Sequence, residues 1–244
     1  MDSPTGEIND LNVIDGKGNT RVFDIIVSPD YMKNKPAAVI FDLHGRGDPR
    51  SYAKGDGFQY ALSDARDPGI SVFPQGALVG QSTGWSEACG SYDMVFFDNM
   101  LKYLSDNYCV NPNKIFASGF SWGGDMVNAL ACCSDTYRAI APISGPRRVN
   151  STCPTKKWSS IWMRYGTSDT SYNQTQFTST RDFYISTLAC DNTPQPLAGD
   201  NQCVSYNSCT EPLIVCARPM GHDGLNHAES AQIWNYWRTL PDKQ

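Results

Sequence analysis

Apolar positions follow two spacings along the chain, one typical of strands and one typical of helices. Short apolar runs that predict buried strands lie at residues 22–27, 37–43, 70–73, 114–118, 139–144, 161–165 and 213–217. Apolar residues spaced three or four apart predict helices that begin near residues 91–93, cover 122–132 and 181–188, and end the chain around Ile233, Trp237 and Leu240. Because strands and helices alternate, the pattern predicts a mostly parallel sheet with helices on both faces.

Nothing in the sequence divides it into separate units. No repeat, low-complexity tract or charge block interrupts residues 1–244, so we expect one domain. The longest apolar run, 37–41, stops at Asp42 and is far shorter than the roughly 20 residues that span a bilayer. The first four residues do not have the pattern of a signal peptide. Processing removes such a peptide from secreted proteins.

Composition narrows the class of partner. Hydrophobic residues make up 40% of the chain and charged residues 18%, as in ordinary soluble globular proteins. The formal net charge is −5, and the Lys and Arg residues do not cluster, which argues against binding to nucleic acid or to an anionic membrane surface. We therefore expect an uncharged or a large polar partner.

Nine cysteines are present, and none of them forms a Cys-x-x-Cys pair. Thiolate metal sites usually show such pairs, so the pattern favours disulfides over a metal centre and predicts an oxidising compartment and a secreted protein. Because nine is odd, at least one cysteine lacks a partner within the chain, and the adjacent Cys132 and Cys133 should bond different partners. The spacing leaves the connectivity open.

A nucleophile motif stands between a predicted strand and a predicted helix. The segment Gly119-Phe120-Ser121-Trp122-Gly123 matches Gly-x-Ser-x-Gly, in which glycines permit a tight turn that exposes the serine hydroxyl above the sheet. A chance match in a glycine-rich turn is the alternative, but the strand before the motif and the helix after it favour the elbow. We therefore predict an α/β-hydrolase fold with Ser121 as nucleophile.

A serine nucleophile needs a base and an acid that orients the base. In this fold they follow the serine in the order acid, then histidine. His222 lies after the last predicted strand and is the predicted base, with His227 as the alternative. Asp169 follows the strand at 161–165 and is the predicted acid, although an aspartate there could simply cap a turn.

The tetrahedral intermediate requires two backbone N–H groups. Trp122, directly after the serine, supplies one of them, and Arg46 in the loop His44-Gly45-Arg46-Gly47 supplies the other. His44 is then expected to hold this loop rather than to act as a base.

Several motifs together resemble the feruloyl esterases of carbohydrate esterase family one and their polyhydroxybutyrate-depolymerase-like relatives. The resemblance rests on the His-Gly-x-Gly loop at His44, on residues 92–98, on residues 108–124 around the elbow, and on Gly221-His222. The departures are Asp223-Gly224-Leu225-Asn226, where many relatives have Trp-Pro after the histidine, and Trp122 in the elbow.

The resemblance implies a cofactor-free secreted enzyme with Ser121, Asp169 and His222 as its catalytic triad. Its expected partner is a feruloylated plant polysaccharide or oligosaccharide, such as arabinoxylan, from which it would release hydroxycinnamic acids. The resemblance also implies that such a domain can be one module of a longer protein, and that Cys109, Cys132 and Cys133 belong to the disulfide pattern of the family.

An open cleft is expected, because about sixteen residues separate the strands at 139–144 and 161–165, too few for a large lid. Trp85 and Tyr172 are predicted to bind the substrate by stacking, although ordinary packing is the alternative for each aromatic residue. Three other functions remain open: an acetylxylan esterase, a polyester depolymerase, and a carbohydrate-binding module without catalysis.

Overall fold

The computed structural model describes residues 5–148 and 152–243. The strands in chain order are β1 (Gly6–Ile14), β2 (Thr20–Val27), β3 (Ala37–Leu43), β4 (Gly69–Pro74), β5 (Ala77–Val79), β6 (Ser82–Gly84), β7 (Val110–Phe120), β8 (Ala139–Ile143), β9 (Ser160–Gly166), β10 (Pro194–Leu197), β11 (Asp200–Tyr206) and β12 (Leu213–Arg218). The helices are α1 (Phe58–Asp64), α2 (Tyr92–Asn107), α3 (Trp122–Cys133), α4 (Gln174–Thr187) and α5 (His227–Trp237), with a 3-10 helix at Arg50–Asp56.

Ten strands form one sheet in the order β1-β2-β4-β3-β7-β8-β9-β12-β11-β10. Its central strands, from β4 to β12, are parallel, whereas β1, β2, β10 and β11 pair in antiparallel fashion at the two sides. In such a sheet, ligands bind where the carboxyl ends of parallel strands meet. The loops after β3, β7, β9 and β12 therefore share one edge and can contribute to a common site.

Helices cover both faces of the sheet. Side chains of α2, α3 and α4 pack on one face, and those of α1 and α5 pack on the other. Every residue of β3, from Ala37 to Leu43, is consequently buried, which explains why this central strand is almost continuously apolar. The predicted α/β-hydrolase fold with a mostly parallel sheet is confirmed.

The predicted elements differ from the observed ones mainly at the edges of the sheet. β3 has its predicted bounds, and α3 differs by one residue. The helix predicted at 181–188 begins earlier, at Gln174, because Asn173 and Gln176 form a reciprocal capping box. The elements that were not predicted are β1, β5, β6, β10, β11, α1 and the 3-10 helix. β1 and β10 contain no fully buried residue, so they carry no apolar run.

The expected absence of a large lid agrees with the described chain between β8 and β9. Residues 144–148 and 152–159 contain no helix or strand. Across the described ranges, no helix has both the length and the apolar character needed to cross a membrane.

Four disulfides join eight of the nine cysteines, as the cysteine pattern predicted. They are Cys89–Cys133, Cys132–Cys153, Cys190–Cys209 and Cys203–Cys216. The adjacent Cys132 and Cys133 do bond different partners. The expectation that Cys109 joins the disulfide pattern is wrong: its thiol is free, beside the start of β7.

Candidate active site

Ser121 occupies a sharp turn between β7 and α3. Its φ of 55° and ψ of −119° lie in a region that non-glycine residues rarely adopt. Neighbouring glycines make this turn possible: a Cβ on Gly119 would lie 2.5 Å from the Gly123 carbonyl oxygen, and a Cβ on Gly123 would clash with the carbonyl of Leu43. The two glycines therefore let strand, turn and helix approach more closely than any side chain would allow.

The structure brings Ser121, His222 and Asp169 together. His222 Nε2 lies 2.8 Å from Ser121 Oγ, and His222 Nδ1 lies 2.7 Å from Asp169 Oδ2. The other carboxylate oxygen, Oδ1, accepts hydrogen bonds from the backbone N–H groups of Ser171 and Tyr172 at 2.8 and 3.1 Å. Asp169 therefore caps its turn and orients the histidine at once, so the two sequence interpretations of this residue are compatible.

His227, the alternative base, lies elsewhere. It is exposed at the start of α5, where its Nε2 is 3.0 Å from Asp64 Oδ2 and its ring contacts Tyr60 edge-on. Since His222 occupies the position beside Ser121, His227 has no contact with the serine hydroxyl.

The predicted oxyanion donors Arg46 and Trp122 lie in the loop after β3 and at the start of α3, and both residues line the same cavity as Ser121. Among the described residues, neither the N–H of Arg46 nor that of Trp122 donates to a protein acceptor. The Arg46 loop comes close because Gly45 has no side chain: a Cβ there would lie 3.3 Å from Ser121 Cβ. A helix N-terminus adds partial positive charge at the same place. The arrangement can stabilise negative charge on an oxygen bonded to a carbon attacked by Ser121.

His44 stabilises the loop that carries Arg46. It is fully buried, its Nδ1 donates to the Gly45 carbonyl at 2.7 Å, and its Nε2 accepts from the Gly76 N–H at 2.9 Å. Burial lowers the pKa of His44, which favours the neutral imidazole that these two bonds require. The structural role predicted for His44 agrees with these contacts.

Trp85 does not reach the cleft, which corrects the expectation that it binds substrate. Its side chain is 1% exposed, and its indole nitrogen donates to the His44 carbonyl oxygen at 3.0 Å. The ring packs against His44 and Phe97 in the core. The glycine-containing sequence before Trp85 suggested an exposed loop, but the side chain points into the core. There it supports the segment 44–47, which carries Arg46.

A cleft of about 660 Å³ opens above Ser121. It is lined by Arg46, Asp48, Phe120, Ser121, Trp122, Arg148, Ser171, Tyr172 and His222. Tyr172, predicted to bind substrate, is thus part of the wall, and its ring lies 5.7 Å from the His222 ring. Trp122 lines the same cavity.

A partly buried carboxyl group and a buried one, those of Glu87 and Asp125, hold the two aromatic side chains of this wall. The Trp122 indole nitrogen donates to Glu87 Oε1 at 2.5 Å, and the Tyr172 hydroxyl donates to Asp125 Oδ2 at 2.7 Å. Arg148 Nη1 lies 3.5 Å from the same Asp125 oxygen, with about half of its side chain exposed to the cleft. The two rings are therefore fixed at their polar ends in the wall of the cleft.

Burial raises the pKa of Asp125 to about 8, since its carboxyl group lies in the first turn of α3 away from water. Burial also raises the pKa of Glu87. Sequence reasoning missed Glu87, Asp125 and Arg148. Only Asp125 carried a usable signal, as an acidic residue in the helical turn directly after the elbow.

Among the residues that the structure describes, one group of side chains has the spacing of metal ligands. The sulfur atoms of Cys89, Cys132 and Cys133 lie within 4.8 Å of one another. All three belong to disulfides, so they offer no thiolate to a metal ion.

Known proteins resemble this chain in sequence and in structure. No family profile matches it. Feruloyl esterase C of Emericella nidulans is 31% identical over 225 residues, which cover 88% of this chain and 80% of that enzyme. An acetyl xylan esterase from Aspergillus awamori has a TM-score of 0.74 at 14% identity, covering 93% of this chain and 98% of the other. A CE1 ferulic acid esterase from Anaeromyces mucronatus, solved with ferulic acid, has a TM-score of 0.64 at 15% identity, covering 98% and 91%.

The structural similarities, at such low identity, concern the fold, and the sequence similarity extends over most of both chains. Together with the geometry around Ser121, they lead to one conclusion. The chain belongs to the feruloyl esterase family.

Proposed function

We propose that this protein is a secreted serine esterase that releases ferulic and related hydroxycinnamic acids from plant cell-wall arabinoxylan. The observation that carries the proposal is the continuous hydrogen-bond chain from Ser121 through His222 to Asp169, at the bottom of an open cleft with aromatic walls. Ester cleavage by a serine nucleophile needs this chain and no cofactor.

In the first step, Ser121 Oγ attacks the ester carbonyl carbon while its proton moves to His222 Nε2, 2.8 Å away. Asp169 holds Nδ1–H at 2.7 Å, which keeps the imidazole in the tautomer that accepts the proton and stabilises the imidazolium that forms. The strained backbone of Ser121 keeps Oγ exposed above the sheet during this step.

The carbonyl oxygen of the ester becomes an oxyanion between the N–H groups of Arg46 and Trp122, which act as the oxyanion hole. His222 then gives its proton to the departing sugar alkoxide, and the acyl group remains on Ser121. Water, activated by His222 in the same way, attacks this acyl-enzyme and releases the acid. These preformed hydrogen-bond donors contribute most to the stabilisation of the transition state, because they need no rearrangement when charge develops.

The walls of the cleft suit a planar aromatic acyl group. Tyr172 and Trp122 present ring faces whose polar ends are already held by Asp125 and Glu87. A phenolic ring can stack on such faces, and a cavity of about 660 Å³ is far larger than an acetyl group needs. The absence of a lid in the described residues between β8 and β9 leaves room for the polysaccharide that carries the ester.

The four disulfides support an extracellular location, because such bonds persist in oxidising surroundings. The motifs at residues 92–98 and 108–124 support a place in carbohydrate esterase family one, with polyhydroxybutyrate-depolymerase-like relatives. We also expect this domain, residues 1–244, to act alone or as one module of a longer protein.

The decisive experiment measures release of ferulic, p-coumaric and acetic acid from matched esters of one arabinoxylan oligosaccharide. We expect faster release of the hydroxycinnamic acids by the wild type, and a loss on the order of 10⁶-fold in kcat for Ser121→Ala. Circular dichroism and thermal unfolding of the variant should match the wild type, because the substitution removes one hydroxyl.

Each other result points to a different function. Release of acetate alone would leave the assignment of the catalytic residues unchanged and would show that the acyl group is acetyl. The protein would then be an acetylxylan esterase. Preference for a hydroxyalkanoate oligomer would make it a polyester depolymerase. Polysaccharide binding with no release of any acid, and no labelling of Ser121 by a fluorophosphonate, would indicate a carbohydrate-binding module.

A further inference from the structure

Two buried carboxyl groups lie next to each other beneath the catalytic edge of the sheet. Asp42, in β3, is fully buried, and Asp56, at the end of the 3-10 helix, is 3% exposed. Asp42 lies on the same face of β3 as Ile40, the face covered by α1 and α5. Neither residue belongs to the catalytic machinery described above.

Too few hydrogen-bond donors surround this pair to stabilise two negative charges. Within the described residues, both oxygens of Asp42 and Oδ2 of Asp56 have no hydrogen-bond partner of good geometry, and the donors that approach the Asp42 carboxyl group are the Ser118 hydroxyl and the Leu43 N–H. Two carboxylates in contact and away from water cannot both be ionised at neutral pH. One shared proton resolves the conflict, because it makes one carboxyl group the donor and the other the acceptor.

Burial is also the main reason that the pKa of each group is raised, and the neighbouring charge of Asp56 raises the pKa of Asp42 further. Two interactions lower the pKa of Asp56 in part: a hydrogen bond donated by the Leu225 N–H and the positive charge of Arg164. The other titratable groups that face the pair are Glu229 and Tyr52.

Asp56 supports the loop that carries His222. Besides the bond from Leu225, its carboxyl lies close to Gly224, where a Cβ would be 3.3 Å from Oδ1, and its carbonyl oxygen accepts from Ser230 Oγ. Residues 223–225 thus rest against Asp56 directly after the catalytic histidine.

Arg164 holds the same loop from the other side. It donates to the carbonyl oxygens of Asp223 and Gly224 at 2.6 and 3.0 Å, and its Nε is 3.2 Å from Glu229 Oε1. If the pair loses its proton, a second negative charge faces this guanidinium. Arg164 would then be drawn towards the carboxylates and away from the loop carbonyls.

We propose that Asp42 and Asp56 share one proton and that this proton positions the His222 loop for catalysis, so that its loss at alkaline pH misplaces His222 relative to Ser121. The two aspartates are positioning residues, since they touch neither the substrate nor the reacting atoms. The inference rests on the esterase function proposed above.

The test replaces the shared proton by one that cannot dissociate. In Asp42→Asn, the amide N–H donates to Asp56 at every pH, so the alkaline midpoint of kcat for a p-nitrophenyl ester should rise by about one pH unit or more. Asp42→Ala provides no donor and should lower kcat at constant KM. Asp106→Asn, at an exposed position on α2, is the matched control and should keep the wild-type profile. Equal alkaline midpoints in the wild type and Asp42→Asn would overturn the proposal.

A second measurement does not depend on esterase activity. From about pH 4 upward, the folded protein keeps a proton that the unfolded chain has released, so the stability of the wild type should fall as pH rises towards the folded pKa. Thermal unfolding between about pH 5 and pH 9 should show this fall in the wild type and a smaller one in Asp42→Asn. Parallel curves would overturn the shared proton whatever the enzyme hydrolyses. If Asp42→Asn does not fold, Asp56→Asn provides the same comparison.

Discussion

The reacting edge of the cleft and its aromatic wall are built in different ways. At the reacting edge, Ser121 is held by backbone contacts that tolerate no side chain at Gly119 or Gly123. In the aromatic wall, Trp122 and Tyr172 are held by side-chain hydrogen bonds to Glu87 and Asp125. The first region depends on the closeness of main-chain segments, and the second depends on exchangeable side chains.

This difference indicates a division of labour. Ester chemistry requires donors and nucleophile to be placed within tenths of an ångström, and close-packed backbone provides that precision. Recognition of the acyl group requires only a surface of suitable shape, which side-chain substitutions can alter without moving the elbow. Changes at the reacting edge should therefore affect all esters alike, and changes in the wall should affect esters according to their acyl group.

The largest effect among these variants is expected for Asp169→Asn. Loss of the carboxylate removes the acceptor for His222 Nδ1–H and allows the wrong tautomer, so kcat should fall about 10⁴-fold. The fall should be the same for ferulate and acetate esters, measured by steady-state kinetics. A normal kcat would mean that another acid orients His222.

Gly123→Ala should reduce kcat/KM by about 10²- to 10³-fold for every ester. The new Cβ would lie 2.7 Å from the His44 carbonyl oxygen and would clash with that of Leu43, which must push α3 away from the Arg46 loop and separate the two oxyanion donors. Gly55→Ala is the matched control, because a Cβ there meets nothing within 4 Å. An acyl-dependent loss in Gly123→Ala would contradict the division between the two regions.

Tyr172→Ala should have the smallest and most selective effect. We expect kcat/KM for a ferulate ester to fall about tenfold through lost stacking, with little change for an acetate ester. Tyr172→Phe keeps the ring but loses the bond to Asp125, so its effect should be intermediate. Tyr60→Ala, at an exposed position on α1, serves as control. Equal losses on both esters would place Tyr172 in the reacting edge instead.

The central part of the fold could be predicted because local pattern and tertiary environment agree there. β3 is buried on both faces, so its apolar run has the length of the strand itself. β1 and β10 are largely exposed and are held by strand pairing, which leaves no periodic apolar signal. Their existence depends on neighbours that are distant in the sequence.

The same contrast separates the site residues. Ser121, Asp169 and His222 follow strands in a known chain order, and Arg46 and Trp122 follow from the loops on either side, so local sequence sufficed to propose them. Trp85 failed as a predicted ligand contact because the direction of its side chain depends on how its loop packs against His44. Glu87 reaches the Trp122 indole and Arg148 reaches the cleft, each from a loop whose course no local pattern reveals.

Three features are determined by the sequence alone: the order of strands and helices, the elbow, and the need for several disulfides. Each of them depends on residues a few positions apart or on residue counts. Other properties required the folded molecule: the choice of His222 over His227, the free thiol of Cys109 and the contact between Asp42 and Asp56. Each of these depends on distances between segments far apart in sequence. Such distances are set by packing of the whole sheet and its helices, which no local pattern contains.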